Sequence, residues 1–143
     1  MNIIFDDRLK ELLLSNGVDG NVLCSAIDIS KSQLNRWLNE GKLPTPVHAV
    51  RVADYFRCTL DYLVGLSDDN YTVLPRTLPE FGKRLRTLMQ EFSTNPFRLG
   101  RETGIGRNAI YSWLNGKCEP SLMSVCRIAV CFGCTADYVI GRE

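Results

Sequence analysis

Apolar residues recur along this chain at helical spacing, and they do so twice. Phe5, Leu9, Leu12 and Leu13 stand at i, i+4, i+7 and i+8, and Phe81, Leu85, Leu88 and Met89 repeat that spacing 76 positions later. Each set predicts an amphipathic opening helix with one buried stripe. A short second helix is expected after Asp19-Gly20 and after Asn95-Pro96, where an N-cap residue precedes a helix start and proline suits the first helical position. Ser30 is a good N-cap for a third helix over Lys31–Asn39, and Gly106 a weaker one for Arg107–Asn115. A fourth helix follows Thr45-Pro46 or Ser121 and ends near Phe56 or Phe132. A fifth opens at Thr59 or Thr135 and stops at Gly65 or Gly141. No segment alternates with period two between hairpin turns, so the predicted fold is all-α.

Residues 5–67 and 81–143 align without a gap, with 18 identities in 63 positions spread over the whole length. A repeat of this kind redefines the folding unit. The chain is read as two tandem five-helix domains, 1–67 and 81–143, joined by a short Pro-containing linker over 68–80. Pro75 and Pro79 make that linker extended and semi-rigid. Units of about 60 residues fold alone only with an efficient core, and the apolar fraction of 45% is enough to supply one.

Net charge is +1 overall, but its distribution is uneven. Residues 1–70 carry 7 Lys/Arg against 10 Asp/Glu, whereas residues 71–143 carry 10 against 6, so the halves stand at −3 and +4. The second half is the better suited to a polyanion. No apolar run reaches the roughly 18–20 residues that span a bilayer. The opening Met-Asn-Ile-Ile-Phe-Asp-Asp lacks a basic region and a cleavage site, so a cytoplasmic protein is expected. Six cysteines include Cys131-x-x-Cys134, but no second such pair exists and the one histidine, His48, lies in the other copy. Cys58 and Cys134 share a repeat position where an aliphatic side chain would pack. Reduced, structural cysteines are expected rather than a zinc or redox site, and no metal or cofactor.

The stretch from Thr103 to Gly116, Thr-Gly-Ile-Gly-Arg-Asn-Ala-Ile-Tyr-Ser-Trp-Leu-Asn-Gly, resembles the helix-turn-helix of phage repressors, the Cro/cI or XRE family. Pro120-Ser121 before the fourth helix and the closing Asp-Tyr-Val-Ile-Gly fit the same pattern. The first copy matches it through Ile29-Ser30, Leu34, Trp37, Asn39 and Leu60–Gly65. The resemblance implies two lambda-repressor-like domains, double-stranded DNA as partner, and a place on the nucleoid, in a regulator of the kind carried by phages and mobile elements.

A helix-turn-helix lays its second helix in the major groove, so the outward positions should be polar and the inward ones apolar. The outward set is Lys31, Ser32, Gln33, Asn35 and Arg36 in the first copy, against Leu34, Trp37 and Leu38. In the second it is Arg107, Asn108, Ala109, Tyr111 and Ser112, against Ile110, Trp113 and Leu114. Arg and Lys suit guanine, and Asn suits adenine. By resemblance, base reading is assigned to Lys31, Ser32 and Arg36, with Gln33 as an extra reader, and to Arg107, Asn108 and Ser112. Phosphate contacts fall to Asn39, Lys42, Asn115 and Lys117. Gly20 and Pro96 stand where the family usually has Gln, a departure that bears on one phosphate contact per unit. The family's Arg–Glu pair is replaced by Leu13 with Leu38 and by Met89 with Leu114, which predicts apolar contacts in both places.

Trp37 and Trp113 are read as core anchors, Tyr62 and Tyr138 as core or rim, and His48 as a surface residue of the fourth helix. With one histidine, no Gly-rich phosphate loop and no paired carboxylates, an enzyme is not expected. The leading reading is a sequence-specific DNA-binding transcriptional regulator, a repressor, with two unlike reading heads. A linker of 13 residues spans at most roughly 43–47 Å when extended, beyond the roughly 34 Å between half-sites one helical turn apart. Two readings stand beside it. In one, the acidic first copy is a protein-interaction or homodimerisation module and only the second reads DNA. In the other, the chain is an antitoxin or anti-repressor that binds protein.

Overall fold

The computed structural model describes all 143 residues, as ten α-helices in two compact units, Met1–Leu74 and Pro75–Glu143. The first unit contains α1 (Phe5–Ser15), α2 (Gly20–Ile27), α3 (Lys31–Asn39), α4 (Pro46–Phe56) and α5 (Leu60–Val64). Four of these helices start on a side-chain cap. Asp19 accepts from the Asn21 N–H, Ser30 from Gln33, Thr45 from His48 and Thr59 from Tyr62, so orphan amide groups are satisfied at each turn of the path. α1 packs on α3 and α5, α2 on α3 and α4, and α4 on α5. Phe5, Leu9, Leu23, Val52, Leu60 and Leu63 are fully buried between them. Each such side chain contributes about 1.5–3 kcal/mol by leaving water, and a unit this small depends on all of them.

The second unit repeats the plan with α6 (Phe81–Glu91), α7 (Pro96–Thr103), α8 (Arg107–Leu114), α9 (Leu122–Phe132) and α10 (Ala136–Ile140). The Phe–Trp contact that seats the third helix on the first is duplicated. Phe5 meets Trp37 edge-on at 5.8 Å between ring centroids, and Phe81 meets Trp113 at 5.8 Å. Both indoles are buried, which is the anchoring role expected of them. Leu13, Leu38 and Leu114 are half-buried and Met89 is buried, on the helix pairs α1–α3 and α6–α8 that pack together.

A second duplicated device joins the first helix of each unit to the last. Arg8, 6% exposed, lays its guanidinium 3.9 Å from the centroid of the Tyr62 ring. Arg84 stands 4.7 Å from the Tyr138 ring and donates twice to the Tyr138 carbonyl, at 3.2 and 2.6 Å. The Tyr138 hydroxyl in turn donates to Glu91 at 2.6 Å, so α10 is clipped to both ends of α6. The second unit adds a buried ion pair, Asp137 with Arg142, whose side chains are almost wholly out of solvent. Leu66 stands at the matching place in the first unit, where Arg142 would be.

The stretch 68–80 contains no helix, but it is not a free tether along its length. Asp68 takes a bridge from Arg8 at 3.2 Å within the first unit. In the second, Arg76 donates to the Arg142 carbonyl at 3.5 Å. A Cβ added at Gly141 would meet Pro79 at 2.7 Å, so the end of this stretch lies directly on the closing turn. The fully extended reach of all 13 residues is therefore an upper limit. The eight steps from Asp68 to Arg76 extend over at most about 26–29 Å.

Three non-glycine residues, Asp28, Arg57 and Ser93, sit at positive φ, and Arg57 illustrates the cost. α4 ends on Arg57 with φ of 55°, in the left-handed region, where α9 ends on Gly133 at 66°. A side chain there costs about 1–2 kcal/mol relative to glycine in favourable cases. Glycine loses more chain entropy on folding, which offsets part of that. Arg57→Gly is expected to stabilise the first unit by about 0.5–1 kcal/mol net, read as a higher denaturant midpoint with unchanged slope.

Candidate nucleic-acid interface

In the first unit, α2 and α3 are joined by a three-residue turn whose geometry is set by Asp28, the left-handed C-cap of α2 at φ 58°, and by Ser30, the N-cap of α3. Leu34 and Trp37 hold α3 to the core, while Lys31, Ser32, Asn35, Arg36 and Asn39 are exposed. Gln33 is half-buried: its amide lies 3.1 Å from Nδ1 of His48. His48 itself is not the free surface residue expected. It is half-buried, in the first turn of α4, with its ring 5.9 Å from Trp37. The contact fixes the orientation of Gln33, an effect invisible in a sequence where the two lie 15 residues apart.

In the second unit, Ile110 and Trp113 face inward, and Arg107, Asn108, Tyr111 and Asn115 are exposed. Ala109 and Ser112 are half-buried. α7 lies close against the start of α8 because Gly100 has no side chain. A Cβ there would meet the Ile105 carbonyl at 2.9 Å and the Arg107 stem at 3.5 Å. Around this point the two units differ most. Phe97, Arg98 and Arg101 are exposed on α7 where α2 carries Asn21, Val22 and Ser25. The more positive second half thus places part of its surplus beside α8.

The turn after the third helix shows a slip hidden by the gapless alignment. α3 runs through Asn39, is capped by Glu40 and turns on Gly41 at φ 66°; α8 stops at Leu114, is capped by Asn115 and turns on Gly116 at 73°. Asn39 is therefore helical and bonded to Asn35, whereas its aligned partner Asn115 is a cap. The lysines after the glycines, Lys42 and Lys117, occupy the same place in the two turns although they are not aligned. Their N–H groups return to the carbonyls of the aligned residues Arg36 and Ser112, at 3.2 and 2.9 Å. Lys42 and Lys117 are both exposed.

Residues 9–63 match a helix-turn-helix family model of the Cro/cI or XRE type. The first unit is a helix-turn-helix domain. Its two motif helices are α2 and α3, and the match lies wholly within it. The family match does not extend to the second unit, whose likeness to the first rests on the repeated residues and the same order of helices. Comparison with curated proteins and with solved structures returned no match. No helix is long and apolar enough to cross a membrane.

Cys58 and Cys126 are fully buried, Cys134 is partly so, and Cys118 is exposed. Cys131 hydrogen-bonds Glu102 at 3.4 Å, and burial with that neighbouring carboxylate pushes its thiol above the ordinary range. A thiol held protonated in this way is a poor nucleophile. Sequence reasoning missed the arginine–tyrosine clamp and the aromatic–arginine group on α7. The first had a signal, since Arg and Tyr recur together in both copies. The second had none, since Phe97 has no counterpart in the first copy.

Proposed function

We propose that the chain is a sequence-specific transcriptional repressor with two unlike reading heads, acting on the nucleoid in the cytoplasm. The observation that carries this is the polarity of α3 and α8. Each has a buried Trp and a buried aliphatic residue on one side, with cationic and amide side chains on the other. That division is what a helix lying in a major groove requires. Lys31, Ser32 and Arg36 read base edges in the first head, and Arg107, Asn108 and Ser112 in the second. Gln33 joins them through the part of its amide that His48 does not occupy. Asn39, Lys42, Asn115 and Lys117 contact phosphate. Because the two sets differ, the preferred site is non-palindromic.

Binding-site selection with the whole chain tests this directly. An asymmetric consensus is expected, with Arg107→Ala and Arg36→Ala each relaxing a different part of it, at a cost of about 1–3 kcal/mol per lost bidentate contact. A perfect palindrome would point to like units pairing in a homodimer instead.

A second reading is favoured by the surface of the first unit. It is the acidic half, and it exposes Leu14, Val22 and Val47 at 83, 53 and 55%. On that reading the first unit binds a protein or its own twin and only the second reads DNA. Affinity unchanged by Lys31→Ala with Arg36→Ala, but lost with Arg107→Ala, is its signature. Absence of any DNA binding at low salt would favour an antitoxin or anti-repressor.

A further inference from the structure

Phe97 is an aromatic side chain left 53% exposed on α7, between two arginines. The Arg101 guanidinium lies 5.7 Å from its ring centroid and that of Arg107 5.4 Å. Both are within cation–π range, which is about 6 Å. Arg101 follows Phe97 by one helical turn, whereas Arg107 comes from the start of α8, across the motif turn. Arg107 is also held from below, where its stem crosses the gap that Gly100 leaves open. In the first unit the corresponding residues are Asn21, Ser25, Lys31 and Cys24, which offer neither the ring nor the gap.

We infer that Phe97 is a positioning residue that holds the Arg107 guanidinium ready to bind guanine, and so makes the second head more selective for that base than the first. The inference rests on the reading of α8 as the base-contacting helix. A flexible arginine loses rotamer freedom when it forms two parallel hydrogen bonds to guanine O6 and N7. A ring that already restricts the guanidinium removes part of that loss, and the flat face of the fork suits stacking on an aromatic. Arg101 competes for the same ring when DNA is absent. It is the longer contact, it sits one turn further along α7, and it is free to move to a phosphate once the duplex docks, leaving the ring to Arg107. Lys31, a rotatable ammonium with no aromatic neighbour, has no such preparation.

The test uses the full chain and a duplex obtained from it by binding-site selection. The guanine read by Arg107 is located as the one at which replacing guanine by 7-deazaguanine ceases to matter in Arg107→Ala. At that position Phe97→Ala is expected to lose about two- to fivefold of the discrimination between guanine and 7-deazaguanine, the range of an exposed cation–π contact. Phe97→Trp should keep it. Discrimination at bases read by the first unit, and the dependence of affinity on salt, should not change. Phe97 is exposed on a short helix, so both variants should keep the helical circular dichroism of the parent. Unchanged discrimination in Phe97→Ala, or a loss of affinity equal for both duplexes, overturns the positioning role while leaving base reading by α8 intact. If Arg107→Ala leaves discrimination unaltered at every guanine, the base-reading assignment itself falls, and the role of Phe97 with it.

Discussion

Asp137→Ala is expected to cost the second unit about 3–5 kcal/mol, enough to leave it largely unfolded at room temperature while the first unit stays intact. The carboxylate and the Arg142 guanidinium are both buried. Deleting one strands the other charge in a low-dielectric interior, and the stranded charge dominates the loss. Removing both charges is a different matter. Leu66 holds the matching place in the first unit, beside Asp61, so an apolar side chain fits there; Asp137→Ala with Arg142→Leu leaves neither charge buried and should recover more than half of the stability. Each unit holds one tryptophan, which makes the measurement simple. In a Trp37→Phe background, Trp113 fluorescence reports unfolding of the second unit alone, and urea titration of the single and double variants gives the comparison. A single variant as stable as the parent would show that the pair is solvated.

The second large effect concerns salt. A protein that makes 6–10 phosphate contacts loses about 10³–10⁵ in DNA affinity between roughly 50 and 200 mM salt. The loss scales with the number of phosphates neutralised, so two heads engaged together should fall more steeply with salt than a single engaged head. Lys42 and Lys117 follow the turning glycines in the two units and are both exposed. Replacing either by alanine should lower the slope of log affinity against log salt by about 0.9, and replacing both by about 1.8. Titrations at several salt concentrations on one selected duplex give these slopes. A slope that responds to Lys117→Ala and ignores Lys42→Ala would place the first unit off the DNA.

Most of the architecture was legible in the sequence because its signals are local. Thr59 and Thr135 cap the last helices, Gly65 and Gly141 end them, and the apolar stripes of Phe5 to Leu13 and Phe81 to Met89 fix the buried faces. The duplication did the rest, since a residue present in both copies is read twice. What escaped depended on side chains distant in sequence. His48 reaches Gln33 across a loop, Arg8 reaches Tyr62 across most of a unit, and Phe97 reaches Arg107 across the motif turn. Spacing along one helix carries no record of such meetings. The linker's contacts escaped for the same reason: two prolines indicate an extended chain, but only the packing shows Asp68 bridged to Arg8, Arg76 bonded to the Arg142 carbonyl and Pro79 against Gly141.

The displaced glycine turn sets a rule for building chimaeras from the two heads. Gly41 precedes Pro44 by three residues and Gly116 precedes Pro120 by four, so the units divide the same total length differently between helix and loop. Grafting α8 onto the first unit by exchanging only the aligned stretch up to Asn39 and Asn115 would join a shorter helix to a loop cut for a longer one. The splice needs to fall at the shared proline, Pro44 or Pro120, so that helix, glycine and lysine travel as one cassette. Specificity can then be exchanged between heads without disturbing the buried scaffold they have in common.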